Sequence, residues 1–381
     1  MTRRRDRAYT GPVDDLRSRA PRWIIAGLGA LLLACAAAAA PGLADTSSFD
    51  VGDQAVVVVQ IAGRGNSLVV RTWDRSSVAV ESEVAPAVER RTVTFGTERM
   101  PLAAPIPPMP YALREGGQIV GQGMLPPEDF PYAAFRPGPH DVVKVTAEAG
   151  ARLVVTIPAS TGILQTRIGG GHTSIEGYRG ANLFILQNFG RVELSGATTT
   201  AFVQMNNGAL SATDGTFDRL RVRVNTAHVV FEHCRSKQIE ANSVSGAILY
   251  DGGSFDPGLA RFESLSGNIA LGVTAPAQLA GRSQDGHVYT QFERAGTAIS
   301  QPSDGTTTAA YGGGGPLVNA ISGHGNVYLY DGSLTSRRVT APEWRPVLQL
   351  FSVHRRVAPS EKAAKPHALR EMRRIREPGR G

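Results

Sequence analysis

The sequence has little cysteine, little lysine and little charge. Only 2 of its 381 residues are cysteine, and only 19% are charged. One of the two, Cys35, lies in an apolar N-terminal run. If that run is removed, Cys234 is the only cysteine left and no disulfide can form within the chain. Stability must therefore come from packing and hydrogen bonding rather than from cross-links.

The start of the chain has the layout of an export signal. Arginine-rich residues are followed by an 18-residue apolar run from Trp23 to Ala40, and a small residue at Ala44 predicts cleavage after it. Two alternatives stay open. The run is near the lower length limit for spanning a bilayer and could be an uncleaved anchor, and Cys35 could carry a lipid. We expect export to the periplasm, the cell envelope or the extracellular space.

Positive charge is concentrated at the two ends. The formal net charge is +7, of which residues 1–44 contribute +4 and residues 337–381 contribute +8, so the region between them has a net charge of −5. This distribution gives little support to nucleic-acid binding by the body of the protein. We predict a signal peptide or anchor (1–44), a main domain (45–336) and a basic, partly disordered tail (337–381).

A short pattern returns through the middle of the chain: a small residue, then a strand that alternates apolar and polar residues. The marks are Gly171, Gly190, Gly208, Thr226, Gly246, Gly267, Gly286 and Gly325. Most steps are 18 to 21 residues and the last is 39. A period of about 19 residues that holds two short strands is typical of one coil of a solenoid. The predicted fold is all-β, a single-stranded β-solenoid (β-helix) whose coils stack about 4.8 Å apart.

Several segments resemble a known family. The units NSVSGAIL and ESLSGNIAL, together with LVVRTWDRSSVAVESE (68–83) and ARLVVTIPAST (151–161), are similar to the bacterial secreted domain of unknown function often labelled "putative adhesin". The resemblance covers residues 55–85 and 141–333. It implies a β-solenoid at the cell surface and no catalytic residues.

Two segments depart from that pattern. Residues 86–139 hold 11 of the 24 prolines, and residues 301–316 form a glycine-rich stretch that we expect to be a loop. The proline-rich insertion is predicted to be a lid over an end or a face of the solenoid, or alternatively an extended segment that docks a partner. The apolar side chains that would contact a partner are Met109, Tyr111, Phe130, Tyr132 and Phe135.

The basic tail holds one candidate helix, from about His367 to Arg376, with arginines on most of its surface. It is predicted either to bind anionic surfaces such as lipid headgroups or phosphate-bearing polymers, or to be a solvated end. The basic side chains involved would be Arg370, Arg373, Arg374 and Arg376. Membrane contact is expected only through this tail or the N-terminal segment.

The histidines and the remaining cysteine do not predict a metal site. His172 and His287 occupy the same slot of the pattern but lie six coils apart, about 29 Å, and cannot share an ion. In HVVFEHC, a regular strand would place His228 and Cys234 on one side and His233 on the other. We interpret this segment as a core cysteine with surface histidines.

Serines recur beside glycine at Ser195, Ser245, Ser266 and Ser322, as turn residues do, and no nucleophile elbow is present. No catalytic residue, cofactor or metal is predicted. We expect a non-catalytic envelope or surface protein with adhesin-like binding or scaffolding, whose partner is an envelope polymer, a glycan or a protein. One alternative is a polysaccharide lyase or hydrolase, which a cluster of Asp, Glu, Arg or His on adjacent coils would favour. Another is a structural or regulatory envelope component that contacts another protein.

Overall fold

The computed structural model describes residues 45–95, 109–115, 118–125, 138–293, 297–301, 305–335 and 341–357. These residues form an all-β protein, in which 21 strands make one large mixed sheet and two make a separate hairpin. In this part of the chain no helix is long and apolar enough to cross a membrane. The all-β class predicted from the alternating sequence is confirmed.

The strands follow one another closely along the chain. The first nine are β1 (Asp45–Asp50), β2 (Val56–Ile61), β3 (Asn66–Trp73), β4 (Ser77–Ser82), β5 (Ala87–Phe95), β6 (Met109–Glu115), β7 (Gln118–Leu125), β8 (Gly138–Ala147) and β9 (Arg152–Pro158). The next eight are β10 (Ile163–Glu176), β11 (Asn182–Ser195), β12 (Thr198–Thr213), β13 (Thr216–Glu232), β14 (Arg235–Ser243), β15 (Ile248–Phe255), β16 (Ala260–Ser264) and β17 (Ile269–Val273). The last are β18 (Ala277–Ser283), β19 (Val288–Gln291), β20 (Ala298–Ser300), β21 (Thr306–Tyr311), β22 (Leu317–Ser322) and β23 (Val327–Asp331). A 3₁₀ turn (Pro342–Trp344) leads into helix α1 (Arg345–Val357).

Most strands pair in parallel, and β10 to β17 do so with a segment about one period away. Gly171 on β10 faces Gly190 on β11, which faces Gly208 on β12. Between these strands, side-chain hydrogen bonds include ones that join residues 18 to 22 positions apart in the chain. We call each segment that pairs in parallel with its neighbours a row. In spatial order the ten rows among the described residues are 138–158, 56–73, 163–176, 182–195, 198–213, 216–232, 235–255, 260–273, 317–331 and 277–291.

The order of rows in space departs from chain order at both ends. Row 56–73 lies between row 138–158 and the rows that follow Ile163. Row 317–331 lies between rows 260–273 and 277–291. The 39-residue step in the sequence is therefore the distance between two rows that are direct neighbours in space.

Antiparallel strands lie against the outermost rows. At one end β4 pairs with β9 and β5 pairs with β8, while at the other β21 pairs with β18. β21 lies inside the glycine-rich stretch expected to be a loop, and β5 lies inside the proline-rich insertion. These strands cover backbone groups that an outermost parallel strand would otherwise expose to another chain.

The main core is built from inward-facing side chains of every row. Alternation along a strand sends every second side chain inward, and parallel register stacks them from row to row. One such column contains Ile185, Val203 and Val222, all fully buried. Burial of each aliphatic side chain of this size contributes about 1.5–3 kcal/mol, so these columns dominate the stability of the fold.

Glycine is required at the corner between the two strands of many rows. A Cβ on Gly190 would overlap the carbonyl oxygen of Gly171, and one on Gly208 would overlap that of Gly190. The position that faces Gly208 is Ala227, not Thr226 as the sequence pattern predicts, because the register shifts by one residue beside Thr199. Ala227 turns its methyl group into the main core.

Candidate binding face

The outward side chains of β13, β14, β16, β22 and β18, with Leu259 just before β16, form a continuous surface, which we call the open face. Parallel register aligns them in three columns across five adjacent rows. Its members are Arg219, Arg221, Arg223, Gln238, Glu240, Asn242, Leu259, Arg261, Glu263, Leu317, Asn319, Ile321, Gln278, Ala280 and Arg282. The same strands send Leu220, Val222 and Ile239 into the main core, so strand alternation alone places the polar set outside.

Arginine is the commonest residue of the open face. With five arginines and two glutamates the face has a net charge of +3, on a chain region whose formal net charge is −5. Arg221 pairs with Glu240 in the next row, with 3.0 Å between Nη2 and Oε1, and Arg261 donates from Nε to Glu263 at 2.7 Å. Ion pairs this close to solvent contribute little to stability. With both glutamates paired in this way, the face keeps its net charge of +3.

Three aliphatic side chains of the open face are exposed to solvent. Leu259 and Leu317 are each 48% exposed and Ile321 is 40% exposed. They account for three of the five large apolar residues that are exposed in the described part of the chain, the others being Val84 and Ile299. Leu259 and Leu317 lie at matching positions of neighbouring rows, so the apolar contact area is continuous. Exposed apolar side chains that cluster in this way are typical of a contact surface.

The open face ends where its central column becomes apolar. Toward the N-terminal rows, Arg221 is followed in that column by Phe202 and Phe184, which are 2% and 3% exposed. These rings form a second, outer apolar cluster with Val58 and Ile163. The charged surface therefore starts at β13.

Helix α1 covers the outer surface of the other strand set. Val230, Leu249 and Ala270 form an outward apolar column there, and Trp344 packs over its continuation at Tyr328, with 5.0 Å between ring centroids. The start of the basic tail is thus packed against the sheet by apolar contacts.

A buried carboxylate holds the segment that leads into this helix. Asp251 accepts hydrogen bonds from the Tyr330 hydroxyl at 2.7 Å, the Ser333 hydroxyl at 2.5 Å and the Leu334 amide at 2.9 Å. The carboxylate joins β15 to a segment about 80 residues later and is satisfied by hydroxyl and amide donors. We assign it a structural role.

The histidines lie apart, as the sequence predicts, but in a different register. The column runs from His172 through Arg191 and on to His228 and finally His287, seven rows from the first and about 34 Å away. His172 Nε2 lies 3.7 Å from a Glu193 carboxylate oxygen. In the described part of the chain no three His, Cys, Asp or Glu side chains gather closely enough to hold a metal ion.

The prediction that His228 and Cys234 share a side is wrong. β13 ends at Glu232 and His233 has a φ of +52°, so the alternation is broken between the two residues. His228 is exposed, whereas Cys234 is buried in the main core. Burial raises the pKa of the Cys234 thiol to about 12, which makes it an unreactive core residue.

Serine hydroxyls stabilise the glycine corners. Ser264 Oγ accepts from the Gly267 amide at 2.8 Å and donates to the Gly246 carbonyl at 3.2 Å, and Ser322 makes the same pair of bonds one row further on. The predicted turn role applies to Ser322 through this Ser-x-x-Gly arrangement. Sequence spacing alone did not identify Ser264.

Ser266, His324 and Asp285 lie at matching corners of three adjacent rows. His324 Nδ1 is 2.5 Å from Asp285 Oδ2, on the exposed surface. The Ser266 hydroxyl, however, donates to the carbonyl oxygen of Val244 at 3.2 Å. A nucleophilic serine needs its proton directed to a base, so this trio does not form a nucleophile and base pair.

The other predicted contact residues are not brought to the open face by any described contact. Met109 and Tyr111 lie on β6, which pairs with β7 in the separate hairpin. Phe130, Tyr132 and Phe135 lie outside the described residues, as do Arg370, Arg373, Arg374 and Arg376 with the predicted helix at 367–376. Sequence reasoning missed the open face, although the alternation RLRVRVN at 219–225 was a signal for it.

Comparisons with known proteins give one structural match. No family model matches the chain, and no curated protein matches it. A crystal structure of a "putative cell adhesion protein" from Clostridium sporogenes aligns over 75% of this chain and 99% of its own, with 8% sequence identity and a TM-score of 0.25. A likeness at that TM-score carries no argument about this chain.

Proposed function

We propose that the protein is an exported, non-catalytic component of the cell envelope or cell surface, which binds or scaffolds a partner through the open face of a β-solenoid. Parallel rows about one period apart support the solenoid, because stacked coils pair in this way. The N-terminal signal pattern supports export. In this arrangement the rows present a regular ladder of side chains, and binding in an adhesin-like manner needs no catalytic group.

The observation that carries the proposal is the composition of the open face. Five arginines share this face with three exposed aliphatic side chains, whereas α1 covers the apolar outer column that includes Leu249. Leu259 and Leu317 lie side by side on neighbouring rows, and Ile321 lies next to Arg282. A recognition surface usually combines apolar contacts with a polar rim.

A binding experiment tests this proposal. The chain from Asp45 onward and a version that ends at Val357 would be added to host cells and to isolated envelope polymers at low and high salt. Truncation at Ser336 would be a poor choice, because it removes Trp344 and uncovers an apolar column. Binding by both forms is expected. If binding disappears with residues 358–381, recognition lies in the tail and the proposal fails.

A matched pair of variants locates the contact. Leu259→Ser combined with Leu317→Ser should weaken binding, whereas Val84→Ser, at a residue that is 76% exposed elsewhere, should not. Equal binding by all forms would show that the open face is not used. Circular dichroism of each variant would establish that the fold is retained.

One observation favours a second candidate, a polysaccharide-active enzyme. Glu240 and Glu263 lie on adjacent rows with Arg221 and Arg261, which is the cluster expected of such an enzyme. Each glutamate is engaged by an arginine, so a catalytic role would require these pairs to open. Incubation of the protein with acidic and neutral polysaccharides, followed by chain-length measurement, separates this candidate from a binding protein.

A further inference from the structure

Charged side chains of the open face lie in columns that cross the rows. We call the direction in which the rows stack the row axis. Arg223 and Arg282 lie at opposite ends of one column, which runs through Asn242, Glu263 and Ile321. Four row steps separate the two arginines, a distance of about 19 Å. A partner that contacts both must therefore be extended, because a single small anion cannot span that length.

The chemistry of these side chains suits oxyanions that accept paired hydrogen bonds. A guanidinium group presents a rigid fork of donors that matches a carboxylate or a phosphate in two parallel hydrogen bonds. Arg219 is held by the neutral side chain of Gln238 at 2.7 Å, which fixes its direction without neutralising its charge. The face therefore offers oriented positive groups at more than one row.

An aliphatic side chain of the same column restricts the partner further. Ile321 lies between Glu263 and Arg282 and is 40% exposed. A polymer that alternates acidic groups with apolar C–H surfaces can contact arginine and isoleucine side chains together, and burial of the apolar part adds to the ionic attraction. Sugar rings that carry a carboxylate have both kinds of surface.

We infer that the open face binds an anionic polysaccharide made of uronic acid units, laid along the row axis. This inference rests on the proposed binding function and names its ligand class. Charge complementarity supports it, since a net charge of +3 is gathered on one face of a region with a net charge of −5. The carboxylates of the polysaccharide contact Arg223 and Arg282, and a sugar ring lies over Ile321 in the same column.

The test uses polygalacturonate as the probe and dextran as the neutral control. Arg223→Gln combined with Arg282→Gln should weaken binding of polygalacturonate about tenfold or more, since each position loses a hydrogen bond to a charged group. The matched control is Arg75→Gln with Arg179→Gln, which removes the same charge from exposed positions outside the face. Control binding should stay within about twofold of wild type, and dextran should not bind. Glu263→Gln should bind more tightly, because it removes a like charge from the column.

Each outcome decides a different point. Equal losses in the two double variants would mean that only total charge matters, which overturns the inference. If the wild-type protein does not bind polygalacturonate but does bind envelope preparations, the proposed ligand class is wrong and the proposed binding function is retained. Shortening of the polymer during incubation would overturn the non-catalytic function while the ligand class stands. Loss of all binding in every assay would overturn both.

Discussion

Substitution of Gly246 by alanine tests the stacking of rows directly. Gly246 lies at the corner where row 235–255 stacks on row 216–232, and a Cβ added there would overlap the carbonyl oxygen of Ala227. Its φ is not in the left-handed region, so the strain would come from this overlap alone. The carbonyl belongs to the backbone of the neighbouring row and cannot rotate away. We expect the two rows to separate at this corner.

The hydrogen bonds of the corner set the magnitude. Three bonds of 2.9–3.1 Å join the two rows there, and their donors are the amides of Val229, Val244 and Ser245. At about 1 kcal/mol for each net hydrogen bond, their loss lowers the free energy of unfolding by about 3 kcal/mol. A change of that size lies at the upper end of the usual range for a single substitution.

Guanidinium unfolding followed by circular dichroism measures this effect. The control is Gly52→Ala, where a Cβ would have its nearest atom, an Asp141 carboxylate oxygen, at an ordinary 3.7 Å. The control should change the free energy of unfolding by less than about 1 kcal/mol, as most surface substitutions do. If Gly246→Ala is as stable as the control, the close approach of neighbouring corners is refuted.

Three further substitutions and reactions probe other parts of the fold. Trp344→Ala should lower the free energy of unfolding by about 3–5 kcal/mol, because the indole is buried over Tyr328; an unchanged thermal midpoint would contradict its docking. The hydrogen bond from the Gly52 amide, helped by neighbouring side chains, lowers the pKa of Asp141 in the folded protein. The ionised Asp141 carboxylate therefore stabilises the fold above about pH 3.9, the pKa in the unfolded chain, and this contribution is lost as the pH falls through the lower pKa of the folded state. The stability difference between wild type and Asp141→Asn should accordingly shrink in acid titrations below about pH 4, and a constant difference would argue against this. In the chain from Asp45 onward, which lacks Cys35, the Cys234 thiol has a pKa raised by burial and should react with iodoacetamide at pH 8 only after denaturation; rapid labelling of this native protein would show that the thiol is accessible.

The strand content and much of the register could be predicted from the sequence, because steric constraints leave few residues for the corners. Gly171, Gly190 and Gly208 do face one another, since no side chain fits against the neighbouring carbonyl. The register error at Thr226 arose from a one-residue shift beside Thr199. Such a shift changes the spacing without leaving a turn residue to mark it.

The placement of row 317–331 between rows 260–273 and 277–291 could not be predicted. A parallel row can pair with any row that has the same corner pattern, whatever its position in the chain. Gly267 could stack against the corner of Gly286 or of Gly325 with the same local geometry, and the structure places Gly325 next to it. The open face was missed for a related reason. Arg219 and Glu240 lie on different strands and are distant in the sequence. Only the register between β13 and β14 places them on one surface.

The position of row 317–331 has a consequence for how the chain acquires its fold. As the chain is synthesised, residues 277–291 emerge first, yet their place is one row further out, beyond a row that does not yet exist. The missing row joins its inner neighbour across 58 residues and its outer neighbour across 39. The rows at this end therefore cannot fold one after another in the order in which they are synthesised. Row 260–273 keeps an unpaired edge until Asp331 has been made. A ribosome that stalls, or a protease that cuts, before that residue leaves a chain with an edge open to pairing with other chains.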